Sequence, residues 1–193
     1  VGAATKDVLV PESLVHLESG ETPSYALVVE KKSQILRVYA FDGQYRLKHR
    51  FACSTGEAAG KKKCPGDRKT PEGVYFFTAS FEKRYLSSTY GNRAFVMDYP
   101  NVLDRMNGRG GDNIWLHGTN KRLQPRDTNG CVVVENGNID VLARYIRLNH
   151  TPIIIKEELQ MVSPGQHAAK AESVRGFLQD WKSALLSADK ARH

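Results

Sequence analysis

A mainly β fold with one packed helix, followed by a separate C-terminal amphipathic helix, is what the sequence predicts, on three observations. Short β-branched and aromatic runs divided by polar turns recur between Tyr25 and Lys156. Within that span one stretch, about residues 138–147, keeps helical spacing through Ile139, Leu142 and Ile146. Beyond it, Val174, Phe177, Leu178, Trp181 and Leu185 fall on one helix face, a stripe that calls for cover.

Taken in order, Leu9, Leu14, Val15 and Leu17 could line a short helix broken at Pro11. Residues 25–30 and 34–41 read as strands separated by a polar Lys31-Lys32-Ser33 turn. Asp42-Gly43 is a hairpin signal that leads into a third strand, 45–54. After a loop over 55–72, residues 73–79, 94–99, 113–118, 131–134 and 153–156 have the length and composition of strands. Asn136 or Asn138 can cap the intervening helix. Residues 158–167 contain Ser163-Pro164-Gly165 and read as a linker. The organisation expected is an N-terminal segment (1–20), one domain (21–158), and a linker with a helix (159–193). That last helix is either docked on the β domain or the start of an accessory domain.

A chain of 193 residues with 40% apolar content supports one domain with a core plus an appendage. The longest apolar runs, Val132-Val133-Val134 and Ile153-Ile154-Ile155, are far too short for a membrane span. No export signal is recognisable, but Val1 is not an initiator methionine, so export of a processed chain stays open. A net charge of +7 favours an acidic partner such as nucleic acid, anionic lipid or bacterial cell wall. Nothing resembles a zinc finger, an RNA-binding strand signature or a basic recognition helix, so no nucleic acid partner is assigned. The run Lys61-Lys62-Lys63 reads as a solvated loop.

Other motifs fail on inspection. Between Gly56 and Gly60 stand three residues where a phosphate loop needs four, and Lys62 stands where Ser or Thr must hold magnesium. Gly108-Arg109-Gly110-Gly111 precedes a strand, which a dinucleotide cradle does not. The six histidines are scattered, and neither a metal nor another cofactor is assigned. Three cysteines suggest one pair and one free thiol in an oxidising compartment. Cys53 and Cys64 flank a glycine-rich loop and could close it as a disulfide or remain apart, which leaves Cys131 free.

His117 and Cys131 each stand beside a glycine at the end of an apolar run, in the stretch 114–136. A cysteine acyl-transfer enzyme needs this combination. The thiol attacks a carbonyl as thiolate, an imidazole takes its proton, and glycine lets backbone N–H groups approach the developing oxyanion. The plainer alternative is a core histidine and a buried structural thiol.

Four segments in order resemble the YkuD-type L,D-transpeptidase catalytic domain. They are Leu27-Val28-Val29 through Tyr39, Ser54-Thr55-Gly56, the run from Asp67 through Thr70-Pro71-Glu72-Gly73 to Tyr75, and Ile114-Trp115-Leu116-His117-Gly118-Thr119 with Thr128-Asn129-Gly130-Cys131. The resemblance implies a β-sandwich-like fold and a thiol that attacks peptidoglycan stem peptides in the periplasm or cell envelope. It implies Cys131 as nucleophile, His117 as general base then acid, and the amides of Gly130 and Cys131 as oxyanion donors. Thr128 would support the nucleophile turn, and Gly118 would pass close to the site or serve only as a tight turn. The family run has histidine where Asn129 stands and arginine where Val133 stands. The variant run ending Val132-Val133-Val134-Glu135-Asn136 resembles the branch containing L,D-carboxypeptidases of curved bacteria. The C-terminal helix resembles the start of that branch's accessory domain. Transpeptidation of tetrapeptide stems is the leading expectation, with carboxypeptidation to tripeptide and D-alanine second and a non-catalytic wall-binding module third.

Overall fold

A computed structural model of the chain describes residues 9–15 and 24–190. In chain order β1 (Val10–Pro11), β2 (Ser24–Glu30), β3 (Ile35–Phe41), β4 (Tyr45–Ala52) and β5 (Gly73–Glu82) lead to β6 (Arg93–Met97). There follow α1 (Val102–Met106), β7 (Trp115–His117), β8 (Val132–Val133), α2 (Asn136–Leu142), β9 (Pro152–Lys156), β10 (Met161–Val162) and α3 (Pro164–Lys190). The chain divides into two units, Thr22–Glu158 and a second in which the described N-terminal residues join those from Leu159 onward.

In the first unit eight strands form one sheet in the order β4-β3-β2-β9-β5-β6-β7-β8. Leu27, Val28 and Val29 of β2 and Ile153, Ile154 and Ile155 of β9 are all buried. Such unbroken apolar runs suit interior strands covered on both faces, and these two lie side by side in parallel. By contrast β4 is an edge, and its exposed Arg46, Lys48 and Arg50 guard the open backbone against further pairing. Strand β5 belongs to both halves of the sheet: Gly73–Phe76 pair with β9 and the remainder with β6, with a register break between Phe77 and Ala79. That irregularity bends the strand, so the mainly β architecture is a single curled sheet. The sheet wraps a core in which Leu27, Tyr75, Phe77, Leu116 and the α2 residues Ile139 and Leu142 meet. Just beyond β4, Ser54 exchanges two backbone hydrogen bonds with Val133 of β8, at 2.8 and 2.9 Å, so the two borders of the curled sheet meet.

The turn between β2 and β3 departs from expectation. Lys31, read from sequence as part of a polar turn, is 1% exposed. Its ammonium donates to the Gly60 carbonyl at 2.8 Å and the Thr70 carbonyl at 3.3 Å, and pairs with Glu72 at 2.9 Å and Glu157 at 3.2 Å. Nearby, the Gln34 side chain uses both ends of its amide: Nε2 donates to the Lys31 carbonyl and the Thr55 hydroxyl, and Oε1 accepts from the Thr55 and Arg126 amides. Two long loops are thereby fastened to one hairpin.

Other elements correct the sequence reading. Helix α2 begins at Asn136 and ends at Leu142, short of the expected extent, with Glu135 at the N-cap and no side-chain cap. Asn136 is committed elsewhere, accepting from the Asn92 amide at 2.9 Å and donating to Asn120 at 2.7 Å. Helix α1 was not anticipated, although Asn101 and Asp104 form a reciprocal capping box at its start. The proposed disulfide is absent: Cys53 is a buried free thiol in the core, while Cys64 is exposed on the loop.

In the second unit, Leu9, Leu14 and Val15 form no helix, because β1 pairs antiparallel with β10; Leu17 lies outside the described residues. The Ser163-Pro164-Gly165 segment starts a helix where a linker was read. The Ser163 hydroxyl accepts from the Gln166 amide at 3.3 Å and Gln166 Oε1 from the Ser163 amide at 3.0 Å, with Pro164 at the first helical position. Early in α3, His167 and Ala171 are buried, and His167 bonds the Leu14 carbonyl. Farther along, Phe177, Leu178, Trp181 and Leu185 are exposed, so the stripe inferred from spacing is not covered by its own unit. Spacing marks an apolar face but does not supply what covers it. No helix among the described residues is long and apolar enough to cross a membrane.

Replacing Lys31 with methionine strips Glu72 of its buried cation and leaves two carbonyls short of a donor. We expect a loss of about 3 kcal/mol in unfolding free energy by denaturant titration, the scale for removing one partner of a buried pair. A loss below about 0.5 kcal/mol, as for an exposed pair, would mean that the network carries no weight.

Candidate active site

Both chemically conspicuous residues sit at the β7–β8 edge. These strands run in parallel, with His117 beside Val133 and Leu116 beside Val132, so Cys131 enters β8 from the preceding turn level with Trp115, at the start of the histidine strand. His117 and Cys131 line one cleft of about 700 Å³, with Ser54, Lys62, Tyr90 and Asn113 among its walls. The cleft also carries Arg68, Lys121 and Arg122 against Glu57, Asp112 and Asp127.

His117 is buried and oriented by its own neighbour, since Nδ1 lies 2.6 Å from the Gly118 carbonyl. A carbonyl only accepts, so Nδ1 carries the proton and Nε2 is left with its lone pair. The Tyr90 ring meets the imidazole edge to face at 4.9 Å between centroids and also packs on Trp115, giving the histidine an aromatic floor. Burial lowers the basicity of His117 below its ordinary value, only partly offset by the Gly118 bond, so the resting ring is neutral.

Gly118 explains itself by space. A Cβ there would stand 2.4 Å from Asn136 Oδ1 and 3.0 Å from an Ile139 methyl, and its N–H bonds the Arg93 carbonyl. The same Asn136 oxygen would lie 2.1 Å from a Cβ on Gly91, where φ is also +65°. Two glycines therefore let the chain fold tightly around one asparagine, and Gly118 in turn orients the imidazole.

The turn that carries Cys131 is tied from inside and outside. Thr128 Oγ1 donates to the Cys131 carbonyl at 2.8 Å and accepts from the Gly130 amide at 3.0 Å. Gly130 adopts φ +135°, and a Cβ on it would meet the Lys69 carbonyl at 2.8 Å. From outside, Thr70 donates its hydroxyl to the Gly130 carbonyl at 2.8 Å and accepts the Gly56 amide at 2.8 Å. The Gly130 N–H, which the resemblance implied as an oxyanion donor, is hydrogen-bonded to Thr128 Oγ1. Asn129 is exposed on the cleft wall, whereas Val133 is buried at the seam with Ser54.

Cys131 Sγ lies 3.5 Å from the Asn113 carbonyl, a contact that needs the thiol proton. Burial raises its ionisation above the ordinary thiol value, and the Trp115 backbone N–H and the charge of Lys62 only partly counter that. The resting pair is thus neutral thiol and neutral imidazole, where the sequence argument asked for a thiolate.

Lys62 is what sequence reasoning missed. Taken for a solvated lysine, it is 3% exposed and its ammonium pairs with Asp67 at 2.8 Å and the Cys64 carbonyl at 3.0 Å. The Asp67 carboxylate also collects the amides of Lys63, Cys64 and Lys69. Burial works against its ionisation, yet Lys62 and these amides outweigh it and hold the carboxyl at about 2. The available signal was an aspartate following a Pro-Gly turn shortly after a lysine run.

With the geometry described, comparison with known proteins becomes informative. The L,D-transpeptidase catalytic-domain family, YkuD, matches residues 24–155. YafK of Escherichia coli K12, whose name assigns it to the L,D-transpeptidases, is 29% identical over 129 residues, 65% of this chain and 48% of its own length. The solved structure of Bdellovibrio bacteriovorus Bd1075 is 33% identical with a TM-score of 0.80 over 92% of this chain and 64% of that one. Pgp2 from Campylobacter jejuni, titled a helical cell shape determining protein, is 29% identical with a TM-score of 0.73 over 91% and 61%. The chain spans about half the length of YafK and less than two thirds of either solved chain.

A neutral resting thiol predicts that alkylation of Cys131 by iodoacetamide accelerates as pH rises through the neutral range and beyond. A rate already at its plateau below about pH 6 would instead reveal a preformed thiolate–imidazolium pair.

Proposed function

Because the chain belongs to the YkuD family of L,D-transpeptidase catalytic domains, we propose that it is a peptidoglycan-modifying cysteine acyl-transferase acting on tetrapeptide stems through a Cys131 thioester. The observation that carries this reading is the His117–Gly118 hydrogen bond, which leaves Nε2 as a base in the same cleft as the Cys131 thiol. Sγ attacks the carbonyl of the third, L-centred residue while His117 Nε2 takes the thiol proton. The Cys131 N–H donates to the oxygen that becomes negative. As the bond to the terminal D-alanine breaks, His117 returns the proton to the leaving amine and the peptide remains as a thioester. An acceptor amine, deprotonated by the same imidazole, then attacks the thioester and regenerates the thiol. A substrate in the cell wall implies action after export, in the periplasm or cell envelope.

Water as acceptor gives the second reading, an L,D-carboxypeptidase that releases tripeptide. It draws support from Val133, apolar and buried where the resembling run carries arginine, and from Asn129 in place of histidine. Both changes remove polar contacts from the neighbourhood in which a second peptide would dock, while hydrolysis asks only that water reach the carbonyl. The likeness to a structure titled as cell shape determining agrees with either acceptor. A wall-binding module without chemistry draws no support from an oriented imidazole in the same cleft as a thiol.

Incubation with disaccharide-tetrapeptide and mass spectrometry of the products tests the reading. Cross-linked dimers mark the transferase; tripeptide with free D-alanine and no dimer marks the hydrolase. Cys131→Ala abolishes both products with little change in Tm, and His117→Ala slows acylation at least ~100-fold, with a smaller deficit at high pH. Full turnover in Cys131→Ala would refute the thioester.

A further inference from the structure

Lys62 is a buried cation at the wall of the cleft, and its contacts to Asp67 and the Cys64 carbonyl leave room for a further partner. Three backbone amides already serve the Asp67 carboxylate, so the loop has donors without the lysine. An ammonium carries three hydrogens, of which two have partners, Asp67 Oδ1 and the Cys64 carbonyl. Its aliphatic stem is confined by the backbone of Gly111, where a Cβ would come within 2.8 Å of Lys62 Cε, and φ of +110° independently favours glycine. The Gly110 amide bonds the Lys63 carbonyl at 2.8 Å, which joins the two loops beside the lysine. A charge kept out of water at such cost, clamped by a glycine and set in the wall that also holds Cys131, fits an anionic ligand group.

The substrate reading supplies such a group. In a stem peptide attacked at its third residue, the terminal D-residue carries its carboxylate one Cα beyond the scissile amide nitrogen, within a few ångströms of the attacked carbonyl on the order of one residue's reach. We propose that Lys62 is the recognition residue for this terminal carboxylate, so that the enzyme requires a free chain end next to the bond it breaks. The inference rests on Cys131 being the nucleophile toward stem peptides. Lys62 lines the same cleft as Cys131, and its charge acts on the Cys131 thiol.

The test uses the whole chain and two disaccharide-tetrapeptides, one ending in a free carboxylate and one in a carboxamide. The free acid should be favoured at least about tenfold in kcat/KM, chiefly through KM, as expected for a lost charge-assisted hydrogen bond. Lys62→Met should bring the acid down to the level of the amide, and Lys62→Arg should restore part of the difference. A second measurement needs no turnover: Cys131 is alkylated with iodoacetate and with iodoacetamide, the site being read by peptide mass. The charged reagent should lose ground in Lys62→Met relative to the parent. Equal use of acid and amide by the parent protein, or an unchanged alkylation ratio in Lys62→Met, overturns the proposal. So does discrimination that survives in Lys62→Met but falls when the exposed Lys121 and Arg122 are changed to glutamine. If neither peptide is consumed, the acyl-transfer reading fails, and the alkylation ratio still decides whether Lys62 receives anions beside the thiol. Should Lys62→Met not fold, the comparison of acid with amide on the parent protein stands by itself.

Discussion

Taking the Lys31 ammonium out of water forces much of the rest. A buried lysine is tolerable only when its hydrogens are met by carboxylates and carbonyls, and those that meet it come from Gly60, Thr70, Glu72 and Glu157. Satisfying one side chain therefore brings the glycine-rich loop, the Thr70-Pro71-Glu72 segment and the end of β9 to the β2–β3 turn. From Thr70 the constraint passes onward through a single hydroxyl, which accepts the Gly56 amide and donates to the Gly130 carbonyl. The turn that carries Cys131 is held by a chain of hydrogen bonds that begins at a distant hairpin.

Much of this fold was legible because periodicity and turn chemistry are local. The Asp42-Gly43 turn, the unbroken runs at Leu27 and Ile153, and the apolar spacing of Ile139 and Leu142 all report their elements directly. His117 and Cys131 were legible as candidates because thiol, imidazole and glycine at strand ends form a chemical combination recognisable without coordinates, and both line one cleft. What escaped depends on partners remote in sequence. Lys31 and Lys62 look like any solvated lysine until Glu72 and Asp67 are brought against them. The commitment of the Gly130 amide to Thr128 is a matter of turn geometry, which residue type does not disclose. Ser163 was a missed chance, for serine, proline and glutamine at those spacings spell a helix start as readily as a break.

Burial acts in opposite directions on the two groups, raising the pKa of the Cys131 thiol and lowering the basicity of the His117 imidazole, so both shifts disfavour a resting ion pair. A thiol held in this form resists oxidation, since sulfenic acid and mixed disulfides form from thiolate far faster than from thiol. Cys53, in the core, is held high by the same burial, to about 12, and shares that inertness without a chemical role.

The pair of bonds between Ser54 and Val133 closes the sheet across a long interval of sequence. Contacts of that range carry more loop-closure entropy than a hairpin or the β7–β8 pair, and less than the β2–β9 pairing. A chain that leaves this seam open lacks the tie that fixes the β8 border against the residues following β4, and with it the settled position of the turn that carries Cys131.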